Sequence, residues 1–217
     1  MAEIVTLYHG SKGGLVGDIA PMSRMACDFG RGFYLGDAPS QPLTLICDGE
    51  APHLYRCELD LEGLVVHRFE PTVDWALFVA WNRKAIPSEF MPHYDAKFRP
   101  LAENADVIYG KIANDRMFVV LTWFFEEFIS DVGLLQALQA LNLGNQYCAR
   151  NENACRHVRV VEDRVLSSGE CARLRQQADE QRQYAVKMVD RIRREHRRDG
   201  LSFYEIMKQE VGGETCS

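Results

Sequence analysis

No stretch of this 217-residue sequence approaches the roughly 20 consecutive apolar residues that a membrane-spanning helix needs. Excess positive charge is missing as well. Lys and Arg number 25 against 31 Asp and Glu, a formal net charge of −6, so the whole molecule lacks the field of a non-specific nucleic-acid binder and any such contact would be local. The seven cysteines contain no Cys-x-x-Cys, and Cys148 and Cys155 with nearby His157 lack a second cluster to complete four ligands, which argues against a metal site. An odd number of scattered cysteines also argues against a disulfide framework, so reduced thiols are expected. The opening residues MAEIVTLYHGS do not have the basic-then-apolar layout of a signal peptide, which makes a cytoplasmic location without membrane contact the expectation. Internal repeats and low-complexity tracts are absent. What is present is 47% apolar content, enough for one sizeable core or two small domains and incompatible with a disordered chain.

Hydrophobic periodicity mixes strands and helices through the first part of the chain. Residues 4–9 (IVTLYH) read as a strand that delivers His9 at its end, followed by a loop marked by Gly13 and Gly14. Residues 29–37 read as a glycine-punctuated loop entering a short strand, and Pro39, Gln41 and Pro42 mark a turn before two further strand-like runs, LYRCELD and LVVHRF. A helix is expected over 73–85, then a proline-dotted loop over 86–100 that is long enough to serve as a lid. A strand over 105–113 leads to the apolar helix MFVVLTWFFEEFI, with Trp123, Phe124, Phe125 and Phe128 as a core stripe, and to a second helix, DVGLLQALQAL. QYCAR then begins a strand, NENA reads as a turn, and HVRVVEDRVL as the last strand.

The final residues differ in kind. Ser167 and Glu170 have capping-box spacing, and a helical pattern runs from there to Gly200, with nine bases against six acids between Glu170 and Asp199. A second such box, Ser202 and Glu205, opens a short helix with Phe203, Ile206, Met207 and Val211 on one face. The division is therefore a domain over 1–166 and a helical extension over 167–217. The extension either docks as a solvated helix or engages a partner through Arg191, Arg193, Arg194, Arg197 and Arg198 and the apolar final helix.

Four motifs occur in one order: LYHGS at 7–11, DFGRGFY at 28–34, DVIYGKIANDRMF at 106–118 and QYCARNENA at 146–154. Together they resemble the ADP-ribosyltransferases of the His-Tyr-Glu type, the diphtheria-toxin and poly(ADP-ribose)-polymerase branch, and within it a bacterial toxin-like group. The resemblance implies an α+β fold, a split pair of small antiparallel sheets around an NAD cleft. It implies NAD as the ADP-ribose donor, mono-ADP-ribosyl transfer, and a toxin of a toxin-antitoxin or anti-phage system. RNA, DNA or protein would be the macromolecular acceptor and an antitoxin protein a further partner. By the same resemblance His9 would bond the adenosine ribose, the backbone at Gly10 would lie close to the nicotinamide amide, Ser11 would bond a ribose hydroxyl, and Tyr34 would stack on the nicotinamide ring. Gly30 and Gly32 would let the backbone approach the dinucleotide without a Cβ. Arg31 and Arg83 are candidates for the pyrophosphate, and Asn114 and Asp115 fit both the group's signature and a helix N-cap. Asp28 and Gln41 recur in the group's pattern without a mechanical role legible in the sequence.

Breaking the nicotinamide–ribose bond creates an oxocarbenium-like transition state with a neutral leaving group, so orientation and electrostatics must do most of the catalysis. The third catalytic position departs from the better-known branch, because Gln146 stands where a glutamate is expected. An amide can bind a ribose hydroxyl but cannot take a proton, which disfavours polymer formation. Another carboxylate, Asp115 or Glu152, is the candidate base. The same substitution favours the alternative, an inactive module that binds NAD, ADP-ribose or a protein.

Overall fold

The computed structural model describes residues 3–113, 115–141 and 144–214. It is an α+β molecule around a seven-stranded sheet in the order β4-β5-β6-β2-β1-β3-β7. The strands are β1 (Ile4–Ser11), β2 (Phe33–Gly36), β3 (His53–Asp60), β4 (Val66–Arg68), β5 (Val107–Lys111), β6 (Asn145–Ala149) and β7 (Val158–Val165). All neighbours are antiparallel except β4 and β5, which run parallel.

The sheet has a seam. β1 pairs with β3 from Ile4↔Asp60 to Ser11↔His53, and β2 with β6 from Phe33↔Ala149 to Gly36↔Gln146, but β1 and β2 pair with each other only at Tyr8↔Gly36. Beyond that pair the ladder stops, and the imidazole of His9 makes the next bridge, with Nδ1 2.8 Å from the Tyr34 carbonyl. A side chain thus replaces a backbone rung at the junction of two half-sheets.

The strands alternate as a two-faced sheet requires. Leu7, Phe33, Leu35, Cys57, Leu59, Tyr147 and Ala149 bury one face under the short helix α6 (Glu152–Arg156). The other face of β5 and β6, with Ile108 and Cys148, carries the main core, built with α2 (Val73–Asn82), α3 (Met91–Asn104), α4 (Asp115–Phe125) and α5 (Asp131–Ala140). A third cluster joins α1 (Ser40–Ile46), β3 and the long helix α7 (Ser168–Glu195) through Leu43, Ile46, Cys47, Leu54, Leu166 and Cys171.

Three local expectations change. Residues 91–100 of the expected loop belong to α3, which runs on to Asn104: Pro92 sits in the first turn, where its missing N–H has no intrahelical partner to lose, and Tyr94, Phe98 and Ala102 recur on one buried face that holds the helix together through Pro100. Residues 40–46 form α1 for the same reason, with Pro42 inside its first turn. Residues 152–156 form α6, capped by Asn151, whose side chain accepts from Ala154 N at 2.8 Å.

The C-terminal helices are built into the same core. Ala185, Met188, Val189 and Ile192 of α7, and Phe203, Ile206 and Met207 of α8 (Phe203–Glu214), are buried in the main cluster. Ser167 caps α7, and Ser202 with Glu205 forms a reciprocal box at α8, with bonds of 2.8 and 3.3 Å. The apolar face of α8 is therefore committed to the core and is not offered to a partner. Arg191, Arg193 and Arg194 pair with Glu195 and Asp190 on α7 itself. The aromatic stripe expected in α4 is also divided, since neighbouring residues cannot share one helical face: Phe124 is buried, Phe125 and Trp123 are half-buried, and Phe128, past the helix end, is more than half exposed. Among the described residues no helix is long and apolar enough to cross a membrane.

Candidate functional site

Three adjoining cavities meet at the seam, and Tyr34 borders all of them. The middle one, about 120 Å³, is lined by Tyr8, His9, Gly10, Tyr34 and Gln146 together with Gln41, Pro42, Leu45 and Ile46 of α1. On one side a lobe of about 410 Å³ lies under the irregular segment 14–23, against His9, Gly32 and Phe33. On the other a larger cleft of about 1050 Å³ runs between Asp28, Arg83 and Gln146 and one face of α4 (Phe118, Val119, Thr122, Phe125). Glu126 and Arg182 complete its rim. Three residues far apart in sequence, His9, Tyr34 and Gln146, thus share one small cavity because β1, β2 and β6 are neighbours in the sheet.

His9 is fixed on both sides. Its ring stacks on Phe33 at 4.1 Å between centroids, and Nδ1 bonds the Tyr34 carbonyl. Nδ1 facing a carbonyl oxygen must carry the proton, which leaves Nε2 as an acceptor in the neutral ring. Burial lowers the His9 pKa below its usual value, and the carbonyl bond opposes this only in part, so the ring is neutral at pH 7. Tyr34 is held by its hydroxyl, which donates to Gly30 O at 2.7 Å and accepts from Phe29 N at 2.9 Å. Burial pushes its phenol well above the usual range, with Cys148 and Asp28 adding to the shift.

Gln146 is almost fully buried, and its Nε2 donates to Asp28 Oδ2 at 3.0 Å. The other oxygen of Asp28 receives two bonds from Arg83, at 3.0 and 2.5 Å, and the same guanidinium donates to Ala113 O at 2.9 Å. Arg83 reaches this point as the residue that ends α2, after which Lys84 takes a left-handed φ of 59° and turns the chain away. Asp28 and Gln41, silent in the sequence, acquire roles here. Gln41 is buried, its Oε1 accepts from Ala38 N at 3.0 Å and its Nε2 donates to Asp37. Asp37 Oδ2 in turn accepts from the backbone and side chain of Asn145 at 3.0 and 2.8 Å, which ties the ends of β2 and β6 together beside Gln146.

The remaining expected site residues fall as follows. Gly10 borders the middle cavity, and a Cβ there would meet Pro42 and Ile46 of α1 at 2.8 Å. The Ser11 hydroxyl donates to Gly14 O at 2.8 Å, which shapes the loop that roofs the smaller lobe. Gly30 has φ +76°, and a Cβ would approach Asn82 and Arg150. At Gly32 that space is taken by Cys148 and by Ala149 O of β6. The backbone conformation at Gly30 and the packing at Gly32 therefore already demand glycine inside the protein. Arg31 is exposed and donates to Pro21 O at 2.7 Å, whereas Arg83 pairs with Asp28. Glu152 lies in α6, most of its side chain exposed, opposite Arg156, and does not line the cleft. Asn114 is outside the described residues. Asp115 opens the backbone of α4, and its side chain is outside the described set. Glu126 is the cleft carboxylate that sequence reading passed over. Its signal is the shared helical face of residues 118, 119, 122, 125 and 126.

A family model, DUF3990, described as "Protein of unknown function", matches residues 5–160. The chain belongs to the DUF3990 family. Its matched segment contains β1 from its second residue, β2 to β6, the seam and every residue of the His9–Tyr34–Gln146 cavity, and ends within β7. Helices α7 and α8 fall beyond the DUF3990 match, although α7 contributes Arg182 to the larger cleft. No curated protein and no solved structure matches the chain.

Proposed function

We propose that this protein is an NAD-dependent mono-ADP-ribosyltransferase of the His-Tyr-Glu type, with glutamine in the third position. The observation that carries the proposal is the meeting of His9, Tyr34 and Gln146 in one small cavity where the half-sheets part. NAD supplies the ADP-ribosyl group: its C1′–nicotinamide bond breaks as an acceptor nucleophile forms a new bond at C1′ and gives up its proton.

Each residue's part follows from its setting. His9, neutral and locked against Phe33, orients a ribose hydroxyl through Nε2. The Tyr34 ring, fixed by two bonds at its hydroxyl, forms a flat wall between donor and acceptor lobes. Gln146 accepts a hydrogen bond from a hydroxyl without removing a proton. Positive charge developing at the ribose is met by the dipole of the Gln146 amide oxygen, whose other end is held by Asp28, itself paired with Arg83. The smaller lobe accepts the donor and the larger cleft a segment of a macromolecule, RNA, DNA or protein, with Glu126 on its rim as the candidate base. The toxin-like resemblance adds a cytoplasmic site of action and a neutralising partner protein. A second reading, an inactive module that binds NAD or ADP-ribose, is favoured by one observation, the amide at position 146. Incubation with labelled NAD and cell extract, with nuclease and protease controls, separates the two: transfer of label to a macromolecule supports the enzyme, and NAD binding without transfer supports the module.

A further inference from the structure

We infer that Asp28 is a positioning residue that fixes Gln146 as a hydrogen-bond acceptor towards the cleft, so that the ligand group met at this point is a hydrogen-bond donor, a hydroxyl on the proposed function, and not a carbonyl or an ionised phosphate. An amide is two-faced. Its NH₂ donates, its oxygen accepts, and which end faces a ligand depends on what holds the other. Here the holder is a carboxylate oxygen 3.0 Å from the amide nitrogen. A carboxylate accepts only, so the nitrogen must face Asp28 and the oxygen must face away from it.

Asp28 is itself unable to turn. Arg83 engages its other oxygen with two nitrogens, and the same guanidinium is anchored on the Ala113 carbonyl. Asp28 and Arg83 keep less than a fifth of their side-chain surface exposed, so these bonds are only weakly diluted by solvent. At the far end of the amide, no described residue donates to Gln146 Oε1, and that atom is not among those sealed from solvent without a partner. Gln146 lines both the middle cavity and the larger cleft. The arrangement presents an accepting oxygen to the cleft from an uncharged side chain, while the Asp28 charge behind it is paired with Arg83. The orientation of the amide stands on this geometry alone, and the identification of the hydroxyl with a ribose of NAD rests on the proposed function above.

The test is a reciprocal exchange. Asp28→Asn removes the accepting carboxylate's hold on the amide. Gln146→Glu sets two carboxylates against each other at hydrogen-bond distance. Each single variant is expected to weaken NAD binding, read by calorimetry, by about tenfold or more, the loss of one charge-assisted contact. Asp28→Asn combined with Gln146→Glu re-forms the same bond in reverse, an amide nitrogen donating to a carboxylate, with a carboxylate oxygen towards the ligand. It is expected to bind within about threefold of wild type. A double variant as weak as the weaker single variant overturns the inference, as do single variants whose loss of binding is matched by a parallel fall in Tm, the mark of a merely structural pair. If wild type binds no NAD, the transferase reading fails, and NMR exchange of the Gln146 Nε2 protons decides the orientation. Slow exchange in wild type that accelerates in Asp28→Ala upholds it, and equal exchange in the two proteins overturns it.

Discussion

Replacing Gly32 by alanine separates two reasons for a glycine beside a cleft. If the glycine exists to let a ligand approach, alanine should leave the fold untouched and weaken binding. The structure gives the other answer. A Cβ at Gly32 would run into Cys148 and lie 2.8 Å from Ala149 O. Neither can yield cheaply, because Cys148 is fully buried and Ala149 is backbone of β6, paired on one side with β2 and on the other with β5. Overpacking of this kind costs about 1–3 kcal/mol. For a chain of this size that corresponds to a fall in Tm of about 2–12 °C. Gly169→Ala is the control: nothing lies near its Cβ and it sits inside α7, so it should hold or raise stability by about 0.5–1 kcal/mol. Thermal and urea unfolding followed by circular dichroism measure both. A Gly32→Ala protein as stable as wild type, with ligand binding lost, would refute the packing argument.

The neutral His9 makes stability depend on pH. Its folded pKa lies below the unfolded value of 6.5, so its contribution is present above pH 6.5 and is lost as pH falls through the lowered value. His67 is shifted the same way; the slope that disappears in His9→Asn isolates His9, and identical slopes between pH 7 and 5 would contradict the burial argument. Truncation after residue 166 should give an unfolded product, because α7 and α8 supply at least seven buried side chains to the main core; a cooperative unfolding transition in that fragment would contradict this. Unrestrained expression should slow host growth. Normal growth with a folded, NAD-binding product would move weight from the toxin to the binding module.

How much was legible in the sequence follows the range of the forces involved. β1 and β3 announce themselves by local alternation, and His9, Tyr34 and Gln146 by ordered motifs that need no contact to be seen. The partnership of Asp28 with Arg83 and Gln146 spans 55 and 118 positions, and no local pattern encodes it. Helix α3 was hidden because proline at position 92 reads as a breaker unless its place in the first turn is known. The glycines at 30 and 32 were visible as residues but not as reasons: only the fold shows the left-handed φ at Gly30 and, at Gly32, Cys148 and Ala149 of the neighbouring strand in the space of a Cβ. The apolar face of α8 was legible as a face, but its partner, the α4 aromatic Phe124 stacked edge-on against Phe203 at 5.3 Å, was not.

The central claim is that the cavity shared by His9, Tyr34 and Gln146 breaks NAD and passes its ADP-ribosyl group to a macromolecule. The most direct measurement is transfer of label from adenylate-labelled NAD to cell extract by wild type, His9→Ala and Tyr34→Ala, each first shown by circular dichroism to be folded. The account predicts labelled macromolecule with wild type and none with either variant. Labelling by both variants at the wild-type level would contradict it.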